Sequence, residues 1–188
     1  MGKNTLYDYV ERLSEVQRVS MRQSAAKYDL LPVQVQALHY LSLCNKFSDT
    51  PMGVTEYLGQ TKGTVSQTLK VLERKGFLFK KPDASDKRLT HLELTNSGRK
   101  LLSQIIPPPN FTRAINILDD QQTTSFTTHI SLLLTQLLQE NKLKTFGICM
   151  TCEHNQKRDG THFCALLNVK LSFDDTQRIC REHVYDKV

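Results

Sequence analysis

Four of the five cysteines lie in the last part of the chain, at spacings typical of a metal site. The order is Cys149-x2-Cys152-x11-Cys164-x15-Cys180, and His183 follows Cys180 after two further residues. A C-x2-C pair lets two thiolates hold one ion from a tight turn, and a second pair can complete the tetrahedron. We therefore expect Cys149, Cys152, Cys164 and Cys180 to be the ligands, with His183 as the alternative fourth ligand.

The species that these cysteines bind is open between three alternatives. The first is a structural or sensory zinc ion, and the second is an iron–sulfur cluster held by all four thiolates. The third is a set of reduced or disulfide-forming cysteines without metal. Zinc is the favoured cofactor, because a tail of about forty residues is too short to bury a self-sufficient core and a metal ion would stabilise it.

The other cysteine and the scattered histidines have no such pattern. Cys44 ends a predicted helix near its apolar side and is expected to be a small core residue. His39, His91 and His129 occur singly and are predicted to be packing or surface residues. His154 and His162 lie nearer the cysteines but rank below His183 as ligands.

A second candidate site is a short, strongly basic window. The chain has 25 Lys and Arg against 19 Asp and Glu, a net charge of +6, and residues 61–100 alone hold ten basic and four acidic residues. The remaining segments are balanced, so the whole excess lies in this window. A local positive patch suits nucleic acid, because each neutralised phosphate releases condensed counterions. A solvated charged face is the alternative.

Composition excludes several classes of protein. With 39% hydrophobic and 23% charged residues, the chain is typical of globular proteins. No apolar run approaches the roughly 18 residues of a membrane span. The first residues carry charges where a signal peptide has its apolar run, which predicts a cytoplasmic protein with thiols or metal rather than disulfides.

The elements that position these residues are predicted to be mainly helices. Apolar periodicity, Pro at first turns and Thr caps predict helices over residues 6–28, 32–44, 50–59 and 61–76. Residues 77–81 and 89–94 have β patterns on either side of turn residues 82–86 and predict a hairpin. Thr95 and the pair 119–120 open two further helices, and the prolines at 107–109 end the first of these.

This order is that of a winged helix-turn-helix, a mainly α fold with a small β-hairpin wing. The exposed side of the 61–76 helix and the hairpin tip carry the candidate DNA-binding residues: Thr61, Lys62, Thr64, Ser66, Gln67, Lys70, Lys87 and Arg88. Ser and Gln can hydrogen-bond base edges, whereas Lys mostly contacts phosphates. The first and last helices keep unmatched apolar stripes, which predict a homodimer, with packing inside one chain as the alternative.

Residues 61–102, TKGTVSQTLKVLERKGFLFKKPDASDKRLTHLELTNSGRKLL, resemble the MarR family of transcriptional regulators. They contain a recognition helix, Leu-Glu-x-x-Gly, an Asp-x-Arg wing and Leu-Thr-x-x-Gly in the family's order. The resemblance implies a dimer, built from the terminal helices, on a pseudo-palindromic operator. It also implies that Arg88 enters the minor groove, where Asp86 would orient its guanidinium through a charge-assisted bond. The proline break at 107–109 departs from the family, in which that helix often runs on.

Together these features predict a chain of four parts. They are a dimerisation helix (1–30), a DNA-binding winged helix (31–95), C-terminal dimerisation helices (96–145) and a cysteine element (146–188). The expected function is a dimeric, sequence-specific transcriptional regulator whose zinc or iron–sulfur site could sense metal or redox state. The alternatives are a winged-helix protein-interaction module with a structural zinc and a zinc enzyme. A closed thiolate set has no open position for catalysis, so no catalytic residue is expected.

Overall fold

The computed structural model describes residues 3–84 and 86–185; Ser85, in the predicted turn, lies outside the described residues. The first part contains helices α1 (Lys3–Ala26), α2 (Pro32–Leu43), α3 (Pro51–Leu58) and α4 (Lys62–Arg74). Strands β1 (Leu78–Pro82) and β2 (Thr90–Leu94) follow, then helices α5 (Asn96–Ile105), α6 (Pro109–Ile115) and α7 (Asp120–Glu140). The cysteine element contains a short 3-10 helix (Cys149–Thr151), strands β3 (Asn155–Arg158), β4 (Thr161–Cys164) and β5 (Val169–Leu171), and helix α8 (Phe173–Thr176).

Local capping explains where the helices begin and end. The Thr50 side chain accepts a hydrogen bond from Gly53 N at the start of α3, and Thr61 does the same for Thr64 N at the start of α4. Gly59 ends α3 at φ +60°, a left-handed conformation that favours glycine. Helices α2 to α5 therefore begin and end close to the predicted boundaries.

The hydrophobic core joins these helices to the hairpin. Strands β1 and β2 are antiparallel, with Leu78 opposite Leu94. Both leucines are buried with Leu92 on the face that packs against the helices, whereas Lys80 and Lys81 of β1 are exposed. The described core is completed by side chains of α2, α3, α4 and α5, among them Val35, Leu38, Tyr40, Val54, Val65, Leu69, Leu72 and Ile105. The fold is thus the predicted winged helix-turn-helix.

The segment after the hairpin differs from the prediction in one helix. The proline run ends α5 as expected, but Pro109 then occupies the first turn of α6, which the sequence analysis did not predict. Asn110 of α6 accepts a hydrogen bond from Ser20 of α1 at 3.0 Å. Helix α7 begins with a capping box between Asp119 and Gln122 and buries none of its described residues.

The cysteine element has strands that its sequence did not indicate. Strands β3, β4 and β5 form an antiparallel sheet in chain order. They are three or four residues long, and β3 is the wholly polar sequence Asn-Gln-Lys-Arg, which has no alternating apolar pattern. Among the described residues, no helix is both long and apolar enough to cross a membrane.

Candidate nucleic-acid interface and cysteine cluster

Helix α4 separates its buried and exposed residues cleanly. Val65, Thr68, Leu69 and Leu72 are buried against the core. All six predicted contact residues of this helix and its cap are exposed: Thr61, Lys62, Thr64, Ser66, Gln67 and Lys70. Thr61 Oγ1 caps the helix by accepting from Thr64 N at 3.2 Å, and the hydroxyls of Thr61 and Thr64 also lie 3.0 Å apart. The other four side chains make no hydrogen bond or ion pair with a described residue, so their polar groups are available to a ligand.

The hairpin, residues 78–94, which we call the wing, presents an oriented arginine. Arg88 Nε and Nη2 donate to the two carboxylate oxygens of Asp86, each at 3.0 Å, and Arg88 N donates to Asp86 Oδ1. The Arg88 side chain is 91% exposed. Hydrogen bonding to Arg88 lowers the pKa of Asp86, so the carboxylate remains charged. The predicted bidentate pair is therefore present, and its role at DNA stays a prediction.

The base of the wing is held by a histidine whose role the sequence analysis missed. His91 Nδ1 lies 2.5 Å from Asp49 Oδ1, and His91 Nε2 lies 3.0 Å from Asp83 Oδ2. Burial opposes the charged imidazolium, but the hydrogen bonds to both carboxylates outweigh it and raise the pKa of His91. Leu92 N also donates to Asp49 O at 2.7 Å. These bonds join the wing to the segment before α3, and no local signal marks a pairing across 42 residues.

Part of the positive charge in residues 61–100 is neutralised within the chain. Four of its basic residues form ion pairs: Lys75 with Asp29, Lys80 with Glu73, Lys81 with Glu93 and Arg88 with Asp86. The others make no ion pair with any residue in the described ranges: Lys62, Lys70, Arg74, Lys87, Arg99 and Lys100. The uncompensated charge therefore includes the exposed side of α4 and the wing tip.

The four cysteines of the C-terminal element are buried, free thiols. Cys149, Cys164 and Cys180 pack with Leu171 in one apolar cluster. Burial, reinforced by the neighbouring thiols of Cys180, Cys152 and Cys164, raises the pKa of Cys149 to about 12. Without a cation this thiol is protonated at neutral pH.

The backbone forms two similar turns at the cysteine pairs. Cys152 N donates to Cys149 O at 3.2 Å, and His183 N donates to Cys180 O at 3.3 Å. The turns lie side by side, because Cys149 N donates to Arg178 O at 3.0 Å and Cys180 N donates to Gly147 O at 2.9 Å. Residues far apart in sequence thus bring both cysteine turns together.

Both ring nitrogens of His183 lie within hydrogen-bond distance of threonine hydroxyls. Thr145 Oγ1 lies 2.8 Å from its Nδ1, and Thr151 Oγ1 lies 3.0 Å from its Nε2. The ring also packs on Gly147, where a Cβ would lie only 2.4 Å from His183 Cε1. Both nitrogens of His183 therefore have hydroxyl partners within the chain, and the choice of metal ligands stays a prediction.

The four thiols are neighbours, but their sulfur atoms do not surround a single position that an ion could occupy. Across residues 3–84 and 86–185, no three His, Cys, Asp or Glu side chains have an arrangement that could hold a metal ion. An ion would have to draw the Sγ atoms together.

The fifth cysteine and the isolated histidines lie outside this cluster. Cys44 is buried in the main core, as predicted, and burial raises its pKa to about 12. His39 is half-buried, with its pKa lowered by burial. His129 is exposed on α7.

Comparison with known proteins supports the winged helix-turn-helix fold. The sequence model of the MarR family matches residues 28–89. No curated protein matches the chain at a significant level. MepR of S. aureus in its DNA-binding conformation is 25% identical, with a TM-score of 0.59, over 70% of this chain and 98% of MepR. A MarR transcriptional regulator of Methanosarcina mazei Go1 is 20% identical, with a TM-score of 0.60, over 73% of this chain and 99% of that regulator.

Proposed function

Because residues 28–89 match the MarR family and the chain has the winged-helix fold of these regulators, we propose that it is a DNA-binding transcriptional regulator. The observation that carries this proposal is the exposed polar face of α4, together with an exposed Arg88 that Asp86 orients at the wing tip. S. aureus MepR, 22% identical with a TM-score of 0.56 over 72% of this chain and 98% of MepR, has been solved as a DNA complex.

Each candidate residue has a role that its chemistry suits. Ser66 and Gln67 would hydrogen-bond base edges in the major groove, where glutamine can pair with adenine through two bonds. Lys62, Lys70 and Lys87, together with the α4 cap residues Thr61 and Thr64, would contact phosphates and set the position of the helix. Arg88 would reach the adjacent minor groove.

The apolar faces of the terminal helices support a homodimer. Helix α1 exposes Leu6, Tyr9, Leu13 and Val16, and α7 exposes Phe126, Ile130, Leu134 and Leu137. Exposure of such long apolar stripes to water is unfavourable. A second copy of the chain carries the same stripes, so packing of the two copies would bury both sets. The dimer would present two α4 helices to a pseudo-palindromic operator.

The salt dependence of duplex binding tests the DNA-binding function. We expect affinity for a labelled random-sequence duplex to fall about a hundredfold between roughly 50 and 200 mM salt, because about four phosphate contacts release counterions. Fluorescence anisotropy measures this directly. Lys70→Ala should reduce the slope by about one, and Lys157→Ala, on the exposed side of β3, should not. A nearly flat response would favour a winged-helix module that binds proteins.

We also propose that Cys149, Cys152, Cys164 and Cys180 bind zinc, as a structural or sensory site. The support is four buried thiols, the paired turns and the hydroxyl partners of His183. Tetrahedral zinc accepts four thiolates, and its binding would supply stability that the short strands of this element lack. An iron–sulfur cluster on the same thiolates is the second candidate.

Metal analysis of anaerobically purified protein separates these candidates. We expect about one zinc ion per chain and no absorbance between about 300 and 600 nm, where a cluster would absorb. Cys149→Ser should lose the ion, because it removes one of the four proposed thiolate ligands. His183→Gln is the matched control and should retain the ion. Retention by Cys149→Ser with loss by His183→Gln would contradict this ligand set.

A further inference from the structure

Five residues form one continuous series of hydrogen bonds from the start of α3 to the tip of the wing. Asp49 Oδ1 lies 2.5 Å from His91 Nδ1, and His91 Nε2 lies 3.0 Å from Asp83 Oδ2. The other carboxylate oxygen of Asp83 accepts from the backbone N of Asp86 at 2.7 Å. Asp86 in turn holds the Arg88 guanidinium through both of its carboxylate oxygens. We call these five residues the wing network.

The wing network joins a fixed end to an exposed end. Asp49 directly precedes Thr50, the cap residue of α3, and its carbonyl accepts from Leu92 N of β2 at 2.7 Å. The side chains of Asp49 and His91 are only 16% and 17% exposed. At the other end, the Arg88 side chain is 91% exposed. The bonds of His91 therefore help to fix the wing tip relative to α3.

Helix α3 is itself fixed relative to the recognition helix α4. Val54 of α3 is buried in the same core cluster as Val65 and Leu69 of α4. The turn between the two helices is short, because Gly59 ends α3 and Thr61 caps α4. The wing network thus connects the exposed arginine of the wing to the helix pair that carries the other candidate DNA contacts.

The geometry of the wing network suits a protonated histidine. Both ring nitrogens of His91 face carboxylates, which only accept hydrogen bonds when they are ionised. A neutral imidazole has one N–H, so it can donate to Asp49 or to Asp83 but not to both. Although burial opposes the charge, the bonds to the two carboxylates raise the pKa of His91. The complete network therefore requires the imidazolium, which donates at both nitrogens.

The other charged groups near His91 are paired with partners of their own. The cavity beside the ring is also lined by Lys46, Lys81 and Glu93. Lys81 Nζ lies 3.1 Å from Glu93 Oε1, and Lys46 Nζ lies 3.0 Å from Asp175 Oδ2. Among the residues that the structure describes, the two aspartates of the network are therefore the ionic partners of His91.

We propose that His91 is a positioning residue of the DNA interface, which acts through the wing network to hold Arg88 where it reaches the duplex while α4 lies in the major groove. This inference rests on the proposed DNA-binding function and adds to it a residue that need not touch DNA. With the network complete, the wing tip is ordered before DNA binds, so binding loses less side-chain and loop freedom. With the network broken, Arg88 and its turn must become ordered during binding.

A double-mutant cycle on duplex affinity tests this inference. The probe is a labelled duplex that the unsubstituted full chain selects from a random-sequence library, and fluorescence anisotropy measures its binding at about pH 6.5. We expect His91→Gln to weaken binding about three- to tenfold, because one or two more side chains must be ordered. In the Arg88→Ala background the same substitution should change affinity by less than about twofold, because the arginine that the network positions is absent.

The pH profile of duplex affinity gives a second readout. Because the pKa of His91 is raised, the unsubstituted protein should bind most tightly near and below about pH 6.5 and lose affinity as the pH rises through that raised pKa. At about pH 9 its affinity should approach that of His91→Gln, whose own affinity should change little with pH. A purely structural role of His91 would not make the two profiles converge. His39→Gln, which replaces a half-buried histidine of α2, is the matched control and should keep the unsubstituted profile.

The other outcomes separate a wrong function from a wrong network. Protein that selects no duplex would overturn the DNA-binding function and this inference with it. If duplex is bound, an equal change from His91→Gln with and without Arg88, or no change at all, would overturn the wing network alone. Superimposable pH profiles of His91→Gln and the unsubstituted protein would do the same. Asp49→Ala, which removes the fixed end of the network, replaces His91→Gln in the cycle if that variant fails to fold.

Discussion

Substitution of Arg88 by alanine is expected to weaken duplex binding by about ten- to a hundredfold, in line with the loss of a major arginine contact. The reason is geometric as well as electrostatic. Asp86 holds the guanidinium in a fixed orientation at the wing tip, so little side-chain freedom is lost when DNA binds. Fluorescence anisotropy measures the change, on a labelled duplex that the unsubstituted protein selects from a random-sequence library; this is the selected duplex below.

The fold should survive this substitution. Arg88 is almost fully exposed, and its side chain bonds only Asp86 among the described residues. An exposed ion pair contributes little to stability, so the thermal unfolding temperature should stay within about 1–2 °C. Arg88→Lys keeps the charge but loses the planar fork, and should lie between alanine and arginine. Arg158→Ala, an exposed arginine of β3, is the matched control. Equal affinity of Arg88→Ala and Arg158→Ala would remove the wing from the interface.

The double substitution Ile130→Glu and Leu134→Glu is expected to convert a dimer to monomers. Both side chains lie one turn apart on the exposed apolar stripe of α7. Two carboxylates placed in an apolar interface would have to lose water without any counterion, which costs several kcal/mol. Sedimentation should show the mass fall from twice 21.6 kDa to 21.6 kDa.

Dissociation should also reduce affinity for the selected duplex by about a hundredfold or more, because two linked half-site contacts become independent. Gln136→Glu adds charge to an exposed polar position of α7 and is the matched control. It should remain dimeric and bind DNA normally. A mass of 21.6 kDa for the unsubstituted protein, or an unchanged dimer in the double variant, would show that α7 is not the interface.

The helical part of the fold could be predicted because its signals are local. Thr50, Thr61 and Thr95 each cap a helix through a bond to a backbone N–H three residues on. Such bonds depend on neighbours in the chain and leave a recognisable residue pattern. The apolar period of α4 likewise assigned its buried and exposed sides correctly. Strand β3, four polar residues long, lacks any such pattern because its place depends on pairing with β4.

The sequence by itself determined that this chain contains a winged helix with a confined positive charge, and that four cysteines share one short element. Tertiary structure decided how those parts meet. It placed His91 between Asp49 and Asp83, engaged both nitrogens of His183, and set Arg181 on Glu56, 125 residues away. Caps and periodicity act between near neighbours and so are visible in sequence. Contacts across a hundred residues depend on how whole elements pack, and no single residue type records them.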